Sequence, residues 1–231
     1  KSGVPSTSDC IKIAAGASIN LTIKNLTVSA PQQGISGLTF PDDIGVCRLI
    51  LEGTNQFTSN QEDTPAVHKQ TRGKLTISGK GKLIAIATGA KSNGIGSNSC
   101  RELYIEGGTI YAKASHNNMA IGYGYDQNGS TVYYTGGTVE GMCGDDTPYS
   151  YYGGLTGRNA KVIITGGSIH SANRPSAHVY FSVYTHPTNG SDNVYQTIIT
   201  LGEGATLAAQ AYVTALTGAG TYGINQMHTD D

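Results

Sequence analysis

Three groups of chemically active side chains recur at similar intervals in the middle of the chain. His116 is followed 29 residues later by the adjacent pair Asp145 and Asp146, and Arg174 follows that pair at a similar distance. If these intervals bring the groups onto one surface, a base, two acids and a cation line up to bind an acidic or hydroxyl-rich chain. The alternative is a set of solvated turns, in which Asp is common because its carboxylate bonds the local backbone.

The carboxylate pair is also a candidate metal site. Ca²⁺ takes about six to eight oxygen ligands, so Asp145 and Asp146 are the predicted ligands if a metal binds. A further acidic pair, Asp42 and Asp43, lies in a Pro-Asp turn sequence and is explained by turn chemistry. The histidines and cysteines lack the spacing of a zinc site. Calcium is therefore the one cofactor that the sequence indicates.

Tyrosines form the second chemical feature of the same region. The chain has 14 Tyr and no Trp, and a Tyr ring offers an apolar face with a hydrogen-bonding hydroxyl, which suits sugars. Tyr104 and Tyr133 occupy equivalent repeat positions, so we predict that they stack as structural neighbours on adjacent strands. The tyrosines after the acidic pair have no such explanation. The predicted polysaccharide-binding residues are Tyr149, Tyr151, Tyr152, His116, Asp145, Asp146 and Arg174, and none is assigned a catalytic role.

An internal repeat must position these residues. A two-strand unit recurs in which apolar and polar residues alternate on both sides of a glycine-containing bend, as in Leu75-Thr-Ile77-Ser-Gly79. Seven copies start at residues 21, 49, 75, 103, 132, 162 and 199, so the steps are 28, 26, 28, 29, 30 and 37 residues. A period in this range is typical of solenoid proteins, whose repeats stack to bury one continuous core.

The repeat predicts an all-β fold, a single-stranded right-handed parallel β-helix with three sides and about seven coils. Short apolar segments after each unit, such as Ala66-Val67 and Gly94-Ile95-Gly96, supply the third side. A β-sandwich or barrel explains the strands but not the recurrence of one bend, and the consensus of leucine-rich repeats is missing. We expect one domain over residues 1–231, with a loop inserted near 178–193 and a C-terminal cap near 221–231.

Composition argues against several classes of partner. The formal net charge is −1, without the basic stripe that a nucleic-acid binder needs. No apolar run approaches the ~18 residues that span a bilayer, so no membrane insertion is expected. Charged residues make up 13% of the chain against about 25% in average domains, and the 32 Gly suit tight turns. The four cysteines are too few for a disulfide scaffold and are predicted to be mostly unpaired.

The repeat resembles bacterial cell-surface carbohydrate-binding proteins with a parallel β-helix, which are structural relatives of the pectate lyases. The resemblance covers roughly residues 10–172 and is carried by sequences such as Leu21-Thr-Ile-Lys-Asn-Leu-Thr-Val28, Asn93-Gly-Ile-Gly-Ser97 and Leu103-Tyr-Ile-Glu-Gly-Gly-Thr-Ile-Tyr-Ala112. It implies an extracellular or cell-surface protein that binds plant or microbial polysaccharide, in some cases acidic and with calcium.

The sequence therefore predicts a non-catalytic polysaccharide-binding protein, with its oligomeric state left open. Two alternatives stay open: a calcium-dependent polysaccharide lyase or glycoside hydrolase on the same fold, and a structural or adhesive solenoid module. The enzyme alternative is the weaker, because the Gly-His-Gly and Arg-Ile-Lys motifs of hydrolases with this fold are missing from the chain. The segment Asn173-Arg174-Pro175 resembles the Arg-x-Pro motif of lyases only in part, since its spacing differs.

Overall fold

The computed structural model describes residues 6–7, 9–70, 72–97, 100–115, 118–122, 131–142, 155, 161–172, 198–201, 206–209, 216–217 and 220–223. All regular elements within these ranges are β-strands. The strands form three sheets, and strands that are neighbours in a sheet come from successive turns of the chain. This is the arrangement that the repeat predicts, because a turn that cannot bury its own apolar residues must stack on the next one.

Each sheet collects one strand from each turn that it crosses. The nine-stranded sheet has the order β1 (Ser6–Thr7), β4 (Thr27–Ser29), β7 (Thr54–Ser59), β10 (Lys82–Ala87), β13 (Thr109–Lys113), β16 (Thr138–Met142), β18 (Ser168–Ala172), β20 (Thr206–Ala209) and β21 (Leu216–Thr217). The five-stranded sheet contains β2 (Ile11–Lys12), β5 (Leu38–Phe40), β8 (Val67–Lys69), β11 (Ile95–Gly96) and β14 (Ile121–Gly122). The eight-stranded sheet contains β3 (Asn20–Lys24), β6 (Val46–Glu52), β9 (Lys74–Gly79), β12 (Leu103–Ile105), β15 (Thr131–Tyr134), β17 (Lys161–Ile164), β19 (Ile198–Leu201) and β22 (Gly220–Gly223).

The predicted three-sided parallel β-helix is confirmed, with a smaller number of complete turns. Strand pairing within the sheets is parallel except at the C-terminal end, where β22 pairs antiparallel with β19 and β21 with β20. All seven repeat copies supply a parallel strand to the eight-stranded sheet. Only five strands form the third side in the described ranges, so about five turns are fully three-sided rather than the expected seven.

Strand register corrects one step of the repeat. The sequence aligns Leu49 with Leu75, whereas the structure pairs Cys47 with Leu75 and Leu49 with Ile77. The irregular step of 26 residues is therefore wrong, and the turn from β6 to β9 has the same 28-residue length as the turns before and after it. This two-residue correction moves every position that the sequence aligned through Leu49.

The core lies between the three sheets and consists of inward rows of apolar side chains. Leu49, Ile77, Ile105 and Tyr134 form one such row and are fully buried. Each buried side chain of this size contributes about 1.5–3 kcal/mol relative to an exposed one. The rows run along the solenoid axis, so each turn is stabilised by the turns on either side of it.

The bend of the repeat requires glycine for a local reason. Gly137 follows Gly136 in the bend between β15 and β16 and has a φ of 86°, a region that L side chains rarely adopt. A Cβ at this position would lie 2.8 Å from the carbonyl oxygen of Gly108 in the preceding turn. The Gly-Gly pair therefore allows the bends of successive turns to stack closely.

A buried ladder of hydroxyl groups joins the turns at the corner between the nine-stranded and five-stranded sheets. The backbone N–H of Thr64 donates to Ser92 Oγ at 2.9 Å, and the N–H of Ser92 donates to Ser115 Oγ at 2.9 Å. Thr64 Oγ1 in turn accepts from the N–H of Gly34 at 2.7 Å. These side chains satisfy backbone groups that the bend removes from the sheets.

The predicted inserted loop at 178–193 lies outside the described residues. Of the predicted cap near 221–231, the structure describes only residues 221–223 at the end of β22. Both assignments stay predictions.

Candidate functional site

The predicted polysaccharide-binding residues all lie outside the described part of the chain. They are Tyr149, Tyr151, Tyr152, His116, Asp145, Asp146 and Arg174. The structure consequently does not test them, nor the calcium site expected at the two aspartates. It does describe another part of the same corner. Thr88 lies 13 residues after the start of its repeat copy at residue 75, just as His116 and Asp145 lie 13 residues after the starts at 103 and 132.

An open groove lies at this corner, where strands of the nine-stranded sheet end. Its volume is about 540 Å³, which is within the ~300–1,000 Å³ of typical ligand sites. Segments at the ends of β4, β7 and β10 line it, so three successive turns contribute. We call it the corner groove, and the lining residues on which the argument rests are Ser29, Thr58, Asn60, Gln61, Ile86 and Thr88.

The strand register determines which side chains form one side of the corner groove. Ser29 pairs with Thr58, and Thr58 pairs with Ile86, so the three side chains form an outward row across β4, β7 and β10. All three are half-buried, and Ser29 Oγ shares a hydrogen bond of 3.0 Å with Thr58 Oγ1. Neighbouring strands are ~4.8 Å apart, so the row repeats along the axis at a distance comparable to the length of one sugar unit.

The other side of the corner groove carries two amides and a hydroxyl. Gln61 Nε2 donates to Asn60 Oδ1 at 2.7 Å, which holds the two side chains together. Thr88 is exposed, and its Oγ1 donates to the carbonyl of Ser59 at 3.4 Å. Among the described residues, Asn60 Nδ2 and Gln61 Oε1 have no hydrogen-bond partner, so a donor and an acceptor are available to a ligand.

Asn60 and Gln61 are candidate site residues that the repeat alignment missed. Counted from the copy starts at 49 and 75, the sequence aligns Glu62 and Asp63 with Thr88 and Gly89. In the structure, however, Thr88 N donates to the Ser59 carbonyl and Ala87 pairs with Ser59. Asn60 therefore lies beside Thr88, and the acidic pair lies two residues further along the chain. The 28-residue steps on either side of the irregular 26-residue step were the signal that could have identified them.

One pair of opposite charges lies beside the corner groove. Glu62 follows Gln61 directly and lies 3.6 Å from Lys91 Nζ, and both side chains are exposed. The residues that line the groove are uncharged. The groove therefore presents hydrogen-bonding groups without a net charge.

The tyrosine pair on the eight-stranded sheet is confirmed as a stack. The ring centroids of Tyr104 and Tyr133 are 4.3 Å apart with an interplanar angle of 3°. Lys74 Nζ lies 4.2 Å from the centroid of the Tyr104 ring. One face of Tyr104 thus contacts Tyr133 and the other lies beneath a cation, so this ring has no free face for a sugar. The pair stabilises adjacent strands, as cross-strand aromatic pairs do.

Charged side chains on the outer face of the eight-stranded sheet form ion pairs with each other. Arg48 Nη1 lies 2.7 Å from Glu106 Oε2, and this ion pair bridges two turns across the buried Thr76. Lys24 pairs with Glu52 at 3.3 Å in the turns before it. The outer wall of the eight-stranded sheet is therefore largely occupied by its own contacts.

A row of titratable side chains lies further along the outer face of the nine-stranded sheet, whose strands β4, β7 and β10 end at the corner groove. Tyr111, Glu140 and His170 are paired in register on β13, β16 and β18, point outward and are half-buried. Burial and the neighbouring Glu140 raise the pKa of Tyr111, so its hydroxyl stays protonated, and it donates to Met142 Sδ at 3.6 Å. A phenol, a carboxylate and an imidazole on successive turns are groups that could also move protons.

On the five-stranded sheet, His68 lies beside Asp42. Burial lowers the pKa of His68 to about 4, Asp42 opposes the shift, and Lys69 adds to it. The imidazole is therefore neutral near pH 7. Inside the solenoid, the fully buried Lys69 donates from Nζ to the carbonyls of Gln70 and Arg72. The Lys69 ammonium thus provides a hydrogen-bond donor for two backbone carbonyls and does not reach the surface.

The structure offers no metal centre in the part that it describes. No three His, Cys, Asp or Glu side chains converge among the described residues. Cys10, Cys47 and Cys100 are unpaired, as predicted, and burial raises the pKa of Cys100 to about 11. No helix suited to crossing a membrane occurs in the described ranges.

Comparisons with protein families, with curated proteins and with solved structures found no match to this chain.

Proposed function

We propose that the protein binds a polysaccharide along its outer wall without cleaving it. The corner groove carries this proposal, because three successive turns present hydroxyls, amides and aliphatic side chains in a single open groove. Sugar rings have the same mixture of hydroxyl groups and apolar C–H faces. A chain lying along the solenoid axis would meet equivalent positions at each turn, since the turns are stacked in register.

The resemblance to cell-surface carbohydrate-binding β-helix proteins supports the same function and an extracellular location. The predicted residues Tyr149, Tyr151 and Tyr152, with His116, Asp145, Asp146 and Arg174, belong to this proposal as a further contact region. Calcium at Asp145 and Asp146 is proposed for that further region alone and not for the corner groove. Polysaccharide is the proposed partner.

The function is tested by affinity electrophoresis in gels that contain soluble polysaccharides. The double variant Asn60→Ala, Gln61→Ala removes both amides from the corner groove, so its migration should be retarded much less than that of the wild type. The matched control is Asn20→Ala, Gln33→Ala, which removes an exposed asparagine and an exposed glutamine outside the groove. This control should migrate like the wild type.

Equal retardation of the wild type and both double variants would remove the corner groove from the binding site. Absence of retardation of the wild type in every gel would contradict polysaccharide binding itself. Circular dichroism melts of the three proteins establish that the comparison is between folded chains.

A second candidate function is cleavage of the bound chain, and the row of Tyr111, Glu140 and His170 favours it. These groups lie on the same wall as the corner groove and could donate or accept protons. To separate the two functions, the protein is incubated with the polysaccharide that retards it in the gels. New reducing ends and unsaturated uronate absorbance are then measured. The binding proposal predicts neither product, and loss of a product on Glu140→Gln would establish the enzyme instead.

A further inference from the structure

We infer that the corner groove selects an uncharged polysaccharide and binds it without a metal ion. This inference rests on the proposed function and narrows its ligand, since the sequence resemblance leaves acidic chains and calcium open. The lining contains no Lys, Arg or His that could pair with a uronate carboxylate. It also contains no Asp or Glu that could hold a bridging cation.

The hydrogen-bonding groups of the corner groove match neutral hydroxyls. Asn60 Nδ2 can donate and Gln61 Oε1 can accept. The Thr88 hydroxyl donates to the Ser59 carbonyl and can accept, while the bonded pair of Ser29 and Thr58 hydroxyls keeps one free proton and can both donate and accept. A sugar hydroxyl is itself both a donor and an acceptor, so each of these groups finds a partner. A carboxylate accepts only, so it cannot bond the Gln61 carbonyl oxygen, whereas a neutral hydroxyl can bond every one of these groups.

Apolar surface in the corner groove suits the faces of sugar rings. Ile86 lies on the β10 side of the lining, and Ala30 and Pro31 lie just after β4 on the opposite side. Ile86 is half-buried and projects from the wall between polar neighbours. The C–H face of a sugar ring can pack on this side chain.

Charges around the groove disfavour an acidic chain. Glu62 lies next to Gln61 in sequence and its carboxylate is exposed. Lys91, the cation beside it, is already in an ion pair with that carboxylate. The next cation along the row is Lys113, which pairs in register with Ile86 but does not line the groove. A uronate in the groove would lose water without gaining a counter-charge there.

The test is a panel of affinity gels with the wild-type protein. Neutral probes are mannan, xyloglucan and a mixed-linkage β-glucan, and acidic probes are polygalacturonate and alginate. Each gel is run at low and high salt, and with either Ca²⁺ or EDTA. We expect retardation by at least one neutral probe that is unchanged by EDTA and by salt, because screening acts on charges and not on neutral hydrogen bonds. The Asn60→Ala, Gln61→Ala variant should bind that probe about tenfold more weakly, the loss expected for two hydrogen bonds.

The outcomes separate the two proposals. Retardation confined to polygalacturonate or alginate, or retardation that EDTA abolishes, would overturn the neutral selectivity and leave polysaccharide binding intact. Retardation by a neutral probe that the double variant retains in full would also overturn it, because the chain would then bind elsewhere. No retardation by any probe would overturn the proposed function together with this inference.

Discussion

At the scale of single residues, His68 couples the stability of the solenoid to pH. Its folded pKa is about 4, against an ordinary value of 6.5, mainly because the ring is buried. As the pH falls from about 6.5 towards 4, the unfolded chain binds a proton that the folded chain does not. The free energy of unfolding therefore falls across this window, by at most about 3 kcal/mol.

The variant His68→Gln removes this dependence. A glutamine does not titrate, so we expect the variant to lose less stability than the wild type between about pH 6.5 and pH 4. Chemical denaturation at several pH values in this window measures the difference. Parallel stability curves for the two proteins would show that His68 is not responsible.

At the scale of elements, the hydroxyl ladder fixes the corner from which the groove is built. Ser92 Oγ accepts from the N–H of Thr64 and donates to the carbonyl of Gln61, both at 2.9 Å. Ser92→Ala leaves the buried Thr64 N–H without its acceptor, and a lost partner of this kind costs about 1–3 kcal/mol. The free energy of unfolding from urea titration should fall by that amount.

The control for this substitution is Ser78→Ala. Ser78 is half-buried at the end of β9 on the outer wall and is not part of the ladder. Its replacement should change the free energy of unfolding by less than about 0.5 kcal/mol. Equal effects of the two substitutions would mean that the ladder adds nothing beyond ordinary packing.

Strand existence and direction could be predicted from the sequence, whereas one register could not. In β6, Cys47, Leu49 and Leu51 all point inward and are fully buried. Side chains alternate with a period of two, so a slip of two residues keeps the inward row apolar and leaves no trace in the pattern. The slip exchanged Asn60 and Gln61 for Glu62 and Asp63, and so the sequence placed acids where the structure has amides.

The tyrosine stack shows the opposite case. Tyr104 and Tyr133 occupy outward positions of two copies with the same strand and bend sequence, so their pairing follows from the repeat alone. By contrast, the burial of Lys69 and the low pKa of His68 depend on how the five-stranded sheet packs against the other two sheets. That packing involves strands of two or three residues, which are too short to carry a periodic signal.

At the scale of the whole molecule, the length of each sheet depends on how many turns stack and on whether each turn contributes a strand to that sheet. The repeat gives seven strands in the eight-stranded sheet, and the third side adds strands to about five turns in the described ranges. Parallel stacking converts residues that lie about 28 apart in sequence into neighbours, as with Thr58 and Ile86. The corner groove, the hydroxyl ladder and the tyrosine stack all exist only because of this stacking.

Distances between spin labels test this stacking most directly. Labels are attached to cysteines at Thr54 and Lys82 in one protein and at Thr58 and Ile86 in a second, with Cys10 and Cys143 replaced by serine in both. Each pair is in register on β7 and β10, with strands ~4.8 Å apart. A third protein, labelled at Thr54 and Thr109, places its labels two turns apart.

The stacked solenoid predicts strong spin exchange in both of the first two proteins and weaker, dipolar broadening in the third. Antiparallel pairing of the same two strands could bring one of the first two pairs together but not both, because the pairs lie four residues apart along each strand. Strong exchange in only one of them, or in neither, would contradict the parallel register on which the wall and its groove depend.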